Sequence, residues 1–453
     1  MKRDINFHPI SNKQITEYAE NQEGRKHSND TLKSVVETVS LDDGKIKLKR
    51  QLGTAYAVAI LVGLVVGSGV YITPQGVLKQ AGSPGLSLII WVVGGIFSLI
   101  GALVYAEIGI KFPVSGEKYI YLTEMYGPYL GFLYLAMYML LLRPGSNSLK
   151  VLILGRYLLK PLYPDCEIPE IVIKLLATFI SILICVFNCI SVKFAARGQS
   201  VMTFLTILTL LLIVALGIHV NITDGGDHFK EPFQNSTFNI GNLVMAYYST
   251  VFAYGGWAAL NFLVEEIKDP KKTLPKAIVI SCLLLTVLYT LVNYSYMAVL
   301  GREGVLASDA VAISLALRIW KPLAFFILAF VGARNGHLPQ MISYVSISQV
   351  TPIISLALQA ILIWSFVWFM NVDFIIYNVT FCAVIFDLFV VAGYIRIRYR
   401  NSKNNTDDNT LKLPLALHMT YATSLVVISF VPLVFDVLFN VSLKYRLSLF
   451  NIC

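Results

Sequence analysis

Apolar runs of span length, divided by short polar connectors, fill the chain from about residue 51 onward. A helix rises about 1.5 Å per residue, so about 20 apolar residues cross a hydrocarbon core about 30 Å thick. The pattern predicts spans near 53–74, 86–110, 129–158, 171–193, 200–219, 241–264, 277–299, 351–371, 374–395 and 413–438. Two places fall short of a crossing. The apolar stretch between Lys321 and Arg334 is about half a span. After Asp436 the chain reaches Cys453 with Lys444 and Arg446 in the way. Residues 1–44 are polar, of mixed charge, and predict an unstructured tail. The expected layout is a tail over 1–50, a membrane body over 51–440 and a short C-terminal tail over 441–453.

Two spans carry helix-weakening residues. The first holds Gly63, Gly67 and Gly69 with Pro74 behind them, and the sixth holds Tyr254-Gly255-Gly256-Trp257. Glycine costs a helix interior about 1 kcal/mol relative to alanine. In lipid, broken backbone survives only where it is buried or lines a cavity. Glycine-interrupted spans in matching halves of a chain point to a midplane binding site. Close helix packing through small residues explains the same glycines equally well.

Composition agrees with the pattern. Hydrophobic residues make up 56% of the chain and charged residues 14%, against about a quarter charged in soluble domains. The formal charge of +9 does not point to nucleic acid, because the basic residues flank the apolar runs. Lys45, Lys47, Lys49 and Arg50 precede the first span, Lys268, Lys271, Lys272 and Lys276 lie between the sixth and seventh, and Arg396, Arg398, Arg400 and Lys403 follow a later one. All three clusters read as cytosolic, which puts the N-terminus in the cytosol. Arg143, Lys150 and Arg156 in the third span must face protein, water or the interface. Asp387 sits mid-span, where a carboxyl must be neutral, paired or wet. Glu265 and Glu266 lead into a lysine-rich loop and predict structural ion pairs. No metal cluster, nucleophile–base pairing, phosphate loop or cofactor motif is evident, so the reading is not an enzyme.

Of six cysteines, Cys185, Cys189, Cys282 and Cys382 lie in apolar spans and read as small hydrophobes. Cys166 differs: it occupies the polar connector Tyr163-Pro164-Asp165-Cys166-Glu167, on the outer side by span count. With no second loop cysteine near, it reads as an intermolecular bridge. Asn221 and Asn235 head glycosylation sequons in the next outer loop.

Eight segments in order give the chain a family likeness: VGSGVYITPQGVLKQAGSPGLSL at 66–88, GALVYAEIG at 101–109, LLRPGS at 141–146, LLKPLYPDCEIPE at 158–170, FAYGGW at 252–257, NFLVEEIKDPKKTLPKAI at 261–278, SDAVAI at 308–313 and VGARNGHLP at 331–339. With these the chain resembles the light chains of heteromeric amino-acid transporters, and among them the L-type branch of the amino acid–polyamine–organocation superfamily.

The resemblance implies an all-α membrane protein with a LeuT-type 5+5 inverted repeat and broken first and sixth helices. It implies a sodium-independent plasma-membrane exchanger of large neutral amino acids. Alternatives are cationic/neutral exchange, cystine/glutamate exchange, or a non-transporting form that still pairs with its partner. The substrate carboxylate would meet backbone N–H groups of Val65, Val66, Gly67, Ser68 and Gly69. Its ammonium would meet carbonyls of Phe252, Ala253 and Gly255 beside Gly256, with Phe252 as an aromatic gate. Trp257 and Ala258 would border an apolar side-chain pocket. The implied partner is a single-span type II glycoprotein heavy chain, bridged through Cys166. Three departures stand out: Thr206 where the family has a lysine in its fifth span, an eighth span cut short near Phe330, and no twelfth span.

Overall fold

The computed structural model describes residues 39–42, 45–48, 52–67, 69–114, 116–163, 168–190, 192–223, 227–308, 310–319, 353–403 and 413–439. Cys166, Ser68 and the shortened eighth span near Phe330 lie outside these residues.

The chain is not helical throughout. Val39–Asp42 (β1) and Lys45–Leu48 (β2) pair antiparallel, with Val39 opposite Leu48. This corrects the expectation of an unstructured tail reaching residue 44. Apolar residues alternate on both sides of Asp43-Gly44, a dipeptide favoured in two-residue hairpin turns, and the polar composition hid that signal.

The first span is broken. Helix α1 (Thr54–Val65) and α2 (Gly69–Ala81) meet at a 56° bend. Helix α3 (Pro84–Lys111) follows, with Pro84 opening it and the Ser83 hydroxyl accepting from the Leu86 N–H at 3.3 Å. A short helix that the hydrophobic pattern did not predict, α4 (Lys118–Tyr126), precedes the third span. That span comprises α5 (Pro128–Met137), a π-helical turn at Tyr138–Leu142 and α6 (Arg143–Leu159). Pro144 accounts for the wide turn, since its ring has no N–H to give the preceding turn and crowds its carbonyls.

Then come α7 (Glu170–Ile190), α8 (Val192–Thr223) and α9 (Ile240–Tyr254). The sixth span continues beyond α9 only as a 3-10 helix, Trp257–Glu266. Helix α10 (Pro270–Leu306) bends at Gly301, and α11 (Val311–Ile319) follows it. Helices α12 (Ile353–Phe369), α13 (Val372–Lys403) and α14 (Leu415–Phe439) complete the described body.

Among the described residues, Pro84–Lys111, Thr203–Thr223, Pro270–Leu306 and Val372–Asn401 are long and apolar enough to cross a membrane, and bent α1–α2 adds a fifth candidate. Ile89, Val93 and Ile96 on α3, and Ile280, Leu284, Val287 and Leu291 on α10, are exposed at helical spacing. Such stripes suit hydrocarbon, not water. This is a multi-pass membrane protein.

Two apolar clusters hold the body. One gathers α1, α2, α10 and α11 around Trp91, Tyr289 and Tyr296; the other gathers α6, α13 and α14 around Tyr105, Tyr121 and Tyr248. A parallel bridge fixes the entry to the first span beside the exit of the sixth. The Leu52 N–H donates to the Glu266 carbonyl at 3.0 Å, and the Lys268 N–H donates to the Leu52 carbonyl at 2.9 Å.

Candidate functional site

Both glycine-marked spans break where the sequence weakens them. Helix α1 stops at Val65, and α9 stops at Tyr254, after which Gly256 takes φ 104°, a left-handed value that costs glycine little. The breaks touch. A Cβ on Gly69 would sit 2.4 Å from the Ala253 Cα, and a Cβ on Gly256 would sit 3.1 Å from the Leu64 carbonyl. The glycines therefore serve both readings left open by spacing: they permit the breaks and bring the broken pieces together.

Between the breaks and α4–α6, α13 and α14 lies a cavity of about 640 Å³. Val65, Gly67 and Gly69 line it from the first break; Phe252, Ala253, Gly255, Gly256, Trp257 and Ala258 line it from the sixth. Val66 does not. It is fully buried and its N–H donates back to the Val62 carbonyl at 2.9 Å. The donors free of helix partners on that side are the first N–H groups of α2, beginning at Gly69. At the sixth break the Phe252 carbonyl accepts from the Gly255 N–H at 3.3 Å.

The cavity lining also carries charge. Asp387 lines it and is paired: Lys118 Nζ stands 2.7 Å from its Oδ1, and the Tyr105 hydroxyl donates to the same oxygen. Lys118 also lies over the Tyr105 ring, 5.8 Å from its centroid. Tyr105 in turn packs edge-on against Trp257 at 5.1 Å, so one ring separates the ion pair from the sixth break. Glu117 lines the same cavity at φ 46°, ψ −129°, backbone that disfavours a side chain by about 1–3 kcal/mol. Arg143 lines it too, with its guanidinium donating to the Tyr138 hydroxyl at 3.0 Å. Cys185, expected as a plain small hydrophobe, is half-buried on the cavity wall.

Sequence reasoning missed Glu117 and Lys118, because Gly116-Glu117-Lys118 reads as a polar connector, and Tyr105, because it reads as one more aromatic within an apolar span. The usable signal was Asp387 itself. A mid-span carboxylate demands a base, and a charged pair flanked by apolar runs was the place to look.

A second buried carboxylate ties three helices. Glu107 on α3 accepts from Tyr394 at 2.9 Å and Arg398 at 3.1 Å, both on α13, and from the Leu413 N–H at 2.9 Å at the entry to α14. Arg398, read from sequence as a topogenic charge, thus also has a structural partner. Thr206 is fully buried in α8.

The family model described as amino acid permease matches residues 52–333, which include both breaks. This chain belongs to that family. The permease is 35% identical to the human cystine/glutamate transporter over 377 residues, covering 79% of this chain and 75% of that one. It is 34% identical over 412 residues to the human large neutral amino acids transporter small subunit 2, covering 84% and 77%. It is 35% identical over 336 residues to the mouse Asc-type amino acid transporter 1, covering 68% and 63%. These relatives are amino-acid transporters, and the family to which the chain belongs is one of transporters.

Proposed function

We propose that this permease is the light chain of a heteromeric exchanger that carries neutral amino acids, large ones included, without sodium. The observation that carries the reading is the cavity held between two touching helix breaks. A zwitterion needs donors at one end and acceptors at the other. The start of α2 presents N–H groups at a positive helix end, and the interrupted α9 presents carbonyls around Phe252, Ala253 and Gly255. Gly67, Ser68 and Gly69 hold the carboxylate in this scheme, Phe252 covers the substrate, and Trp257 and Ala258 flank its side chain.

The scheme places the chain in a LeuT-type 5+5 repeat, with its N-terminus in the cytosol at the plasma membrane. It pairs with a type II glycoprotein heavy chain through Cys166. Support comes from the break pair at the first and sixth spans and from the small-subunit relative.

The test is radiolabelled leucine exchange in cells that express the chain with a heavy chain, with sodium replaced by choline. Uptake that persists in choline and requires internal amino acid agrees with the reading. Uptake that collapses in choline overturns it, and Thr206 in place of a lysine makes that replacement decisive.

A further inference from the structure

We propose that Glu117 is a proton site in the wall of this cavity, and that the substrate-loaded permease closes with a proton on its carboxyl, so that exchange is coupled to protonation. The coupling rests on the exchange reading above; the proton site itself does not.

Geometry sets Glu117 apart from the other charges. It is 8% exposed and lines the cavity, yet among the described residues neither an ion pair nor a hydrogen bond reaches its carboxylate. It stands at the start of α4, but its side chain caps none of the free N–H groups there. The φ of 46° suits glycine, so the glutamate carries backbone strain with no capping bond to offset it.

The other charges on the lining are engaged. Lys118, beside Glu117 in sequence, pairs with Asp387 of α13 at 2.7 Å. On α6, Arg143 donates to the Tyr138 hydroxyl at 3.0 Å, and Lys150 donates to the Asn147 side-chain oxygen at 3.5 Å. Neither forms an ion pair with Glu117. Phenols of Tyr134, Tyr138, Tyr247 and Tyr421 and the Cys185 thiol complete the titratable lining, and Tyr105 and Tyr121 stand within reach of the Glu117 charge. Phenols and thiols are ordinarily neutral at pH 7. Glu117 is therefore the group that changes charge near neutrality. Ionised, it is a buried charge without a partner, which is costly; protonated, it is neutral. Burial pushes its carboxyl up to about 7, with Lys118 pulling it down and Asp387 adding to the rise.

Polar atoms lead away from the carboxyl off the cavity lining. The Tyr121 hydroxyl, four residues along α4, and the Asn261 Oδ1 are buried and lack hydrogen-bond partners. They flank Gly109, where a Cβ would sit 3.2 Å from the Tyr121 oxygen and 2.5 Å from the Asn261 Oδ1. Asn261 belongs to the 3-10 helix Trp257–Glu266, which leads to the lysine-rich connector at 268–276. The step balances simply. Water on the open side gives a proton to the carboxylate, closure buries the neutral acid, and reopening returns the proton to water.

The test compares the full-length chain with Glu117→Gln, an uncharged side chain of the same shape. The first arm is thermal unfolding of the purified proteins. Burial raises the folded-state pKa above the unfolded one, so stability is present at low pH and lost as pH climbs toward 7. The variant should unfold close to the unaltered chain at pH 5 and several degrees above it at pH 8. The second arm is leucine exchange in proteoliposomes with equal pH on both sides. The unaltered chain should slow about tenfold from pH 6 to pH 8, as the protonated fraction of a carboxyl titrating near 7 does. The variant should keep one rate at both. A variant that gains no stability at pH 8 overturns the proton site. A variant that is slower at both pH values with the tenfold fall intact shows a structural role and overturns the proposal. An unaltered chain with a flat profile overturns the coupling. The thermal difference without exchange at any pH overturns the exchange reading and leaves the proton site. Should the variant not fold, the unaltered chain decides: adding leucine in weak buffer should raise the pH, and an unchanged pH overturns the proposal.

Discussion

The hydroxyl of Tyr289 donates to the carbonyl of Val65 at 3.1 Å, so a residue of α10 satisfies the last turn of α1 where the first span breaks. Both residues are buried. Tyr289→Phe keeps the ring and removes the donor. It should lower stability by about 1–3 kcal/mol, the cost of an orphaned buried polar group. Thermal unfolding of the purified protein reads this directly, and an unchanged transition would show that the break is held by other contacts.

Gly256→Ala should abolish exchange with little loss of protein at the cell surface. The left-handed φ of 104° and the Leu64 carbonyl 3.1 Å from the new Cβ both oppose the methyl group. The backbone of the sixth break would have to shift by tenths of an ångström, enough to misplace carbonyls aimed at a substrate. Surface biotinylation beside leucine uptake separates loss of the site from loss of the protein.

Phe252→Ala should reduce the exchange rate far more than surface expression. Phe252 is half-buried on the cavity wall next to the break, where a ring can cover the substrate and exclude water. Ordinary packing would make expression and uptake fall together, and that pattern would count against a gating role.

Cys166→Ser should remove a reducible high-molecular-weight species on gels of the co-expressed chains and leave some non-covalent association. The expectation comes from its position in an outer connector by span count. A species that survives the substitution yet disappears under reductant would assign the bridge to another cysteine.

Much of this protein was legible from local information. The apolar runs located the long helices, because a helix in lipid must satisfy its own backbone and clothe itself in apolar side chains along its whole length. The glycines at 63, 67, 69, 255 and 256 located both breaks, because weak helix propensity is a property of the residues themselves. Asp387 announced a polar site for the same local reason. Short elements escaped: the pattern gave no warning of α4, whose nine residues are too few and too mixed to read as a span. The hairpin before the first span escaped through composition.

Only the tertiary structure decided which residues meet. That Lys118 pairs with Asp387, that Gly69 touches Ala253, and that Tyr289 completes Val65 are contacts between elements far apart in sequence. Residue spacing fixes the face of a helix, but the partner of that face depends on how the helices cross. The site's backbone was therefore readable in the chain, whereas the pairing of its charged lining was set by packing.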